Sequence, residues 1–135
     1  MPETLFADTW YFVALLDSRD SHHRNASRVE SRVRTAPVVT HDAVLTEVLT
    51  YFSGAGAHAR TLAATMVRDA LHDMLVVTVD RPLFLAGLER YEQRPDKEYS
   101  LVDCMSMIVM EQRGIRHVLT NDHHFSQAGF VVVNQ

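Results

Sequence analysis

The sequence has one cysteine, Cys104, so no disulfide can close within the chain and a reducing cytoplasm is the expected compartment. It lacks any apolar run near the ~20 residues of a membrane-crossing helix. Met1 to Asp8 carries no basic segment ahead of an apolar stretch, which argues against a secretory leader. Lysine is nearly absent: Lys97 stands alone against twelve arginines. Net charge is −4, so bulk charge does not point to a polyanionic partner. Internal repeats, low-complexity runs and linkers are missing too. The 135 residues are 47% apolar and 22% charged, which suits one globular domain over residues 1–135.

What is present is an alternation of short apolar runs with amphipathic stretches. Glu3 to Asp8, Pro37 to Thr40, Leu75 to Val79, Arg116 to Thr120 and Phe130 to Val133 read as strands. Between them, Trp10 to Leu16, His22 to Arg34, Ala43 to Phe52, Ala59 to His72, Arg81 to Tyr91 and Leu101 to Arg113 read as helices. Punctuation fits: Thr9, Asp42 and Asp80 are placed as caps, Pro82 lies in a first turn, and Gly114 stops the last helix. Apolar strands alternating with helices predict an α/β fold, a three-layer α/β/α sandwich around a mainly parallel central sheet. In such sheets ligands bind beyond the carboxyl ends of the strands.

Four carboxylates stand at or just past apolar runs: Asp8 after Leu5-Phe6-Ala7, Glu47 after Val44-Leu45-Thr46, Asp103 in Ser100-Leu101-Val102-Asp103, and Asp122 after Leu119-Thr120-Asn121. Each has an ordinary structural use. Asp8 suits a helix N-cap, Glu47 the rim of an amphipathic helix, Asp103 a capping box with Ser100, and Asp122 a turn. As a set they could converge into an acidic pocket. Buried carboxylates are costly unless paired, protonated or bound to metal, and hard divalent cations take oxygen ligands and serve phosphoryl chemistry.

These segments resemble, in order and spacing, the motifs of PIN-domain ribonucleases, close in style to the VapC toxins of toxin–antitoxin pairs. Leu5-Phe6-Ala7-Asp8-Thr9, Val44-Leu45-Thr46-Glu47-Val48-Leu49, Ser100-Leu101-Val102-Asp103-Cys104 and Thr120-Asn121-Asp122-His123-His124-Phe125 carry the likeness over nearly the whole chain. The resemblance implies a Mg²⁺- or Mn²⁺-dependent endoribonuclease acting on single-stranded or looped RNA. It implies a homodimer and a cognate antitoxin that inserts a side chain into the acidic pocket. On that basis Asp8, Asp103 and Asp122 are expected as metal ligands. Glu47 would bind metal or orient the attacking water, with Thr120 and Ser100 in support. Products would end in 5′-phosphate and 3′-hydroxyl.

Arg24, Arg28 and Arg32 fall at i, i+4 and i+8 and form one stripe on a helix. It is a solvated face unless it borders the acidic pocket. His22-His23 and His123-His124 could suggest zinc, but neighbouring side chains diverge and no cysteine pair accompanies them. His124-Phe125 is expected to pack and orient the Asp122 loop, and Cys104 to be core. A phosphoacceptor receiver domain would need a lysine after a late strand, and Lys97 precedes the third motif instead. A non-catalytic interaction module remains the other alternative.

Overall fold

Strand β1 (Leu5–Ala7) is buried at every residue and lies at the centre of a five-stranded, all-parallel sheet in the computed structural model, which describes residues 2–133. Helices α1 (Thr9–Leu16) and α2 (His23–Val33) lead to β2 (Val38–His41), and α3 (Asp42–Tyr51) and α4 (Ala57–Asp73) to β3 (Leu75–Val77). Helices α5 (Arg81–Gln93) and α6 (Leu101–Arg113) then cross to β4 (His117–Leu119), and α7 (His124–Gln127) precedes β5 (Val131–Val132). The strand order is β3-β2-β1-β4-β5. In register, Leu5 pairs with Val38 on one side and with His117 on the other.

The chain therefore winds outward from β1 to β3, returns, and continues from β4 outward on the opposite side. The strand order reverses between β1 and β4, the place where open α/β sheets form their ligand crevice. Helices α1–α4 pack among themselves and α5–α7 among themselves. Right-handed crossovers put the first group on one face of the sheet and the second on the other. The three-layer sandwich expected from the alternation is what forms. Helix α6 is buried from Asp103 through Met110 and runs through the middle of its layer.

Several boundaries shift for local reasons. Asp42 is not the cap of α3. His41 occupies that position, and its Nδ1 accepts the Val44 N–H at 3.3 Å. Asp42 instead accepts the Val79 N–H at 3.0 Å. Strand β3 ends at Val77 rather than Val79, because Val77 pairs with His41, the last residue of β2 before α3 begins. Helix α4 begins two residues before Ala59, just after Gly56, whose positive φ of 97° suits glycine. The short α7 fell within a segment read as a turn. The capping box of Ser100, the Asp80 cap and the left-handed Gly114 terminus form as expected.

His41 has no exposed surface. Because Nδ1 accepts from Val44, the proton sits on Nε2 and is donated to Ser106 Oγ at 2.9 Å. Burial pushes the imidazole down to about 4, so it is neutral in the folded protein. One side chain thus joins α3, which carries Glu47, to α6, which carries Asp103.

Helices α5 and α6 approach closely at Gly87. A Cβ built on Gly87 would lie 2.5 Å from Met105 Cγ, and Met105 is itself buried. Gly87→Val should destabilise the protein by about 1–3 kcal/mol through overpacking, even though replacing a helical glycine recovers up to ~1 kcal/mol. Urea denaturation measures it, and an unchanged or raised midpoint would contradict this packing.

Candidate active site

Asp8 ends β1 and occupies the N-cap position of α1, yet its side chain caps nothing. Its Oδ2 instead accepts the Thr120 hydroxyl at 2.8 Å, across the gap from β1 to β4. The same Thr120 oxygen accepts the Asp122 N–H at 3.0 Å. One hydroxyl therefore ties the carboxylate of β1 to the loop after β4. Thr40 donates to the carbonyl of Ala7 at 2.8 Å and fixes the backbone just before Asp8.

The remaining acids are also held by small hydroxyl residues. Thr9 donates to Glu47 Oε1 at 2.6 Å, bringing α3 to the start of α1. Asp103 and Ser100 form their capping box, with Ser100 N–H to Asp103 Oδ2 at 3.1 Å and Asp103 N–H to Ser100 Oγ at 3.0 Å. The cap and the site are compatible, because Asp103 still borders the cleft. Asp122 Oδ1 accepts the His124 N–H at 2.9 Å and starts the turn into α7. Asp8, Glu47, Ser100, Asp103 and Asp122 line one open cleft, with Thr120 directly behind Asp8.

Among the described residues, no arginine or lysine forms an ion pair with any of the four acids; their only ion pairs are with His123 and His124. Asp8 is 2% exposed. Its pKa rises to about 7 mainly through burial, with the Thr120 hydrogen bond opposing and the charges of Asp103 and Asp122 adding. Burial likewise raises Asp103, and the Ser100 N–H pulls the other way. Negative charge is thus concentrated where water is scarce and the protein supplies little compensation, which raises a carboxyl pKa.

This donor set fits a divalent cation. His124 Nδ1 is buried and has no hydrogen-bond partner. It lies 3.2 Å from Asp122 Oδ1 and 3.4 Å from Asp103 Oδ2, too poorly aligned to bond either. Ligand atoms of Asp103, Asp122 and His124 fall within 4.8 Å of one another. An orphaned nitrogen between two carboxylates is what a shared positive centre would relieve.

Sequence reading missed three parts of this site. His124 was expected only to orient the loop; its place two residues after Asp122 was the available signal. Glu98 lines the cleft from a charged loop with no distinguishing pattern. Tyr51 completes its aromatic wall, its ring centroid 5.8 Å from that of Trp10. The arginine stripe does not border the acids. Arg32 lines a groove with Glu3 and His117, near the amino ends of β1 and β4 and away from the cleft. Neither histidine pair makes a site of its own: His23 Nδ1 contacts the Ala14 carbonyl at 2.6 Å, and His123 points outward. Cys104 is buried and its thiol is held up by burial, as suits a core residue.

A PIN-domain family model matches residues 5–131. The chain is 32% identical over 130 residues to the 23S rRNA-specific endonuclease VapC20 of Mycobacterium tuberculosis strain H37Rv, across 96% of this chain and 97% of that protein. The crystal structure of Mycobacterium tuberculosis VapC20, described as a sarcin-ricin loop cleaving toxin, aligns with a TM-score of 0.84 and 31% identity, over 97% of this chain and 99% of the other. FitAcB from Neisseria gonorrhoeae shares the fold, with a TM-score of 0.66 at 15% identity over 96% of each chain.

The Asp8 carboxyl titrates at about 7 in the folded state against an ordinary 3.8. A raised native pKa contributes stability that is full below the unfolded value and is lost as pH rises through the native one. In metal-free protein, Asp8→Asn should therefore gain stability relative to the wild type between about pH 4 and pH 7, by up to roughly 1.4 kcal/mol per pH unit. Thermal melts of both proteins in EDTA at stepped pH read this directly. A stability difference that is flat with pH would refute the buried, high-pKa carboxyl.

Proposed function

The chain belongs to the PIN-domain family, and from that membership we propose that it is a metal-dependent endoribonuclease, the toxin of a toxin–antitoxin pair. The observation that carries the reading is the cleft at the β1/β4 switch point, where Asp8, Glu47, Asp103 and Asp122 converge without an arginine or lysine partner among the described residues. The matched relative is named for 23S rRNA, so ribosomal RNA loops are the first substrates to test.

Asp8, Asp103 and Asp122 would hold Mg²⁺ or Mn²⁺, with His124 beside them and Glu47 as a further ligand or water-orienting base. A bound divalent cation would supply Lewis-acid polarisation of the scissile phosphate and a water acidic enough to attack at neutral pH. The protein's own groups do the rest. Thr120 keeps Asp8 aimed into the cleft and shares its oxygen with the Asp122 backbone. Thr9 fixes the Glu47 carboxylate, so an orienting hydrogen bond to water would come from a held oxygen rather than a mobile side chain. The capping box leaves Asp103 few rotamers. Because Asp8 retains its proton to about pH 7, cation binding would displace that proton and tighten as pH rises. Acidic walls repel an RNA backbone, so productive binding should also depend on the cation.

The cognate antitoxin would present a cationic side chain to these same acids, and the active form would be a homodimer in the cytoplasm. No helix among the described residues is long and apolar enough to cross a membrane. A receiver-like role is disfavoured because Lys97 does not line the cleft.

Purified, antitoxin-free protein should cleave a panel of single-stranded and loop RNAs, including 23S rRNA fragments, with Mg²⁺ or Mn²⁺ but not with EDTA. It should leave 5′-phosphate and 3′-hydroxyl ends. Asp8→Asn and Asp103→Asn should reduce cleavage by at least about 100-fold while remaining folded, given the scale of losing an electrostatic catalytic group. Full activity in either variant, or equal cleavage in EDTA, would overturn the assignment.

A further inference from the structure

Two recesses meet at Trp10. On one side its indole borders the acidic cleft beside Tyr51. On the other it borders a groove between α1, α2 and the ends of β4 and β5, where Asn25, Val29, Asn121 and Val133 also lie. Trp10 stays 38% exposed although both sequence neighbours, Thr9 and Tyr11, are buried. Its contact with Tyr51 is edge-on, with an interplanar angle of 82°, rather than face-to-face stacking.

The groove differs in chemistry from the cleft it adjoins. No aspartate, glutamate, arginine or lysine lines it. His22 is its one basic side chain, so the groove lacks the fixed charge that would hold a phosphate or a cation. Its walls are apolar, and its polar groups include the side-chain amides of Asn25 and Asn121, which make no hydrogen bond among the described residues. Amides of this kind pair with the donor and acceptor edges of bases, and an exposed aromatic face is the common platform for an unstacked base. The two recesses are one residue apart: Thr120 lines the groove, and its hydroxyl bonds the Asp8 carboxylate at 2.8 Å.

We infer that this groove receives the unstacked base of a nucleotide adjoining the scissile phosphate, with Trp10 as the stacking surface and Asn25 and Asn121 reading the base edge. The inference rests on the nuclease reading above and extends it to sequence preference. Phosphate goes to the acidic cleft, a neutral base goes to the largely apolar groove, and Trp10 divides them.

Trp10 is the only tryptophan in the chain, so fluorescence under tryptophan-selective excitation, which leaves the four tyrosines unexcited, reports on this surface alone. Short single-stranded RNA oligonucleotides are titrated into the wild-type protein with Ca²⁺, a hard oxygen-seeking cation in place of Mg²⁺, beside the same oligonucleotides carrying one abasic position. Saturable quenching that weakens when the base beside the scissile position is missing is the expected result. Asn25→Ala should in addition change the ratio of kcat/KM between RNAs differing only at that base by about tenfold, with Tm unchanged. Trp10→Phe should retain more cleavage than Trp10→Ala. Absence of quenching overturns the inference whether or not the wild-type protein cleaves RNA. So does an Asn25→Ala variant that keeps every base preference and loses only affinity for the antitoxin, which would make the groove a protein-docking surface. Base-dependent quenching in a protein that cleaves nothing would keep the groove and sink the nuclease reading, so the two claims fail separately.

Discussion

Negative charge held at the β1/β4 switch point without a matching basic side chain is the constraint around which the rest is arranged. An open parallel sheet creates a crevice where its strand order reverses, whatever residues occupy it. Here that crevice receives carboxylates from β1, α3, α6 and the loop after β4. Such a set is unfavourable for the empty fold. Asp8 illustrates it, since burial drives its pKa to about 7 and a single hydroxyl opposes the shift. The sandwich must hold these groups together against their repulsion, and it does so with a well-packed core. Phe6, Val118 and Leu119, which flank the site along the central strands, have no exposed surface.

Small hydroxyl residues manage the positioning. Thr120 serves Asp8 and the Asp122 backbone, Thr9 serves Glu47, and Ser100 serves Asp103. Neutral donors suit this role because a lysine or arginine would neutralise the site and occupy the place a metal ion needs. Farther back, His41 links the helices of Glu47 and Asp103 as a neutral imidazole. Its titration opposes that of Asp8. His41 loses native stabilisation as pH falls from about 6.5 towards 4, whereas Asp8 loses it as pH rises from about 4 towards 7. The two partly cancel between about pH 4 and 6.5, so the overall stability profile hides effects that single substitutions expose.

Much of this was legible in the chain because strand-end carboxylates and apolar runs are local signals. The alternation of Glu3 to Asp8, Pro37 to Thr40 and Leu75 to Val79 with helices implied the parallel sheet. Ser100-x-x-Asp103 announced its cap, while the likeness to PIN-domain motifs carried the expectation that Asp103 lies in the pocket. What escaped depends on tertiary contacts. Asp42 looked like a cap, but Val79 from a distant loop claimed its carboxylate, leaving the role to His41. His124 looked like packing, because only the fold brings its Nδ1 between Asp103 and Asp122. Glu98 and Tyr51 carried no pattern at all. The arginine stripe was a true helix periodicity with no tie to the acids.

The central claim is that these carboxylates form a divalent-cation site, and calorimetric titration of Mn²⁺ tests it most directly. At about pH 6.5, below the Asp8 pKa of about 7, the wild-type protein should bind saturably and release protons on binding, and Asp122→Asn should bind at least about tenfold more weakly, the scale expected for losing a ligand or its partner. No saturable binding by the folded wild-type protein, or equal affinity in the variant, would contradict the account.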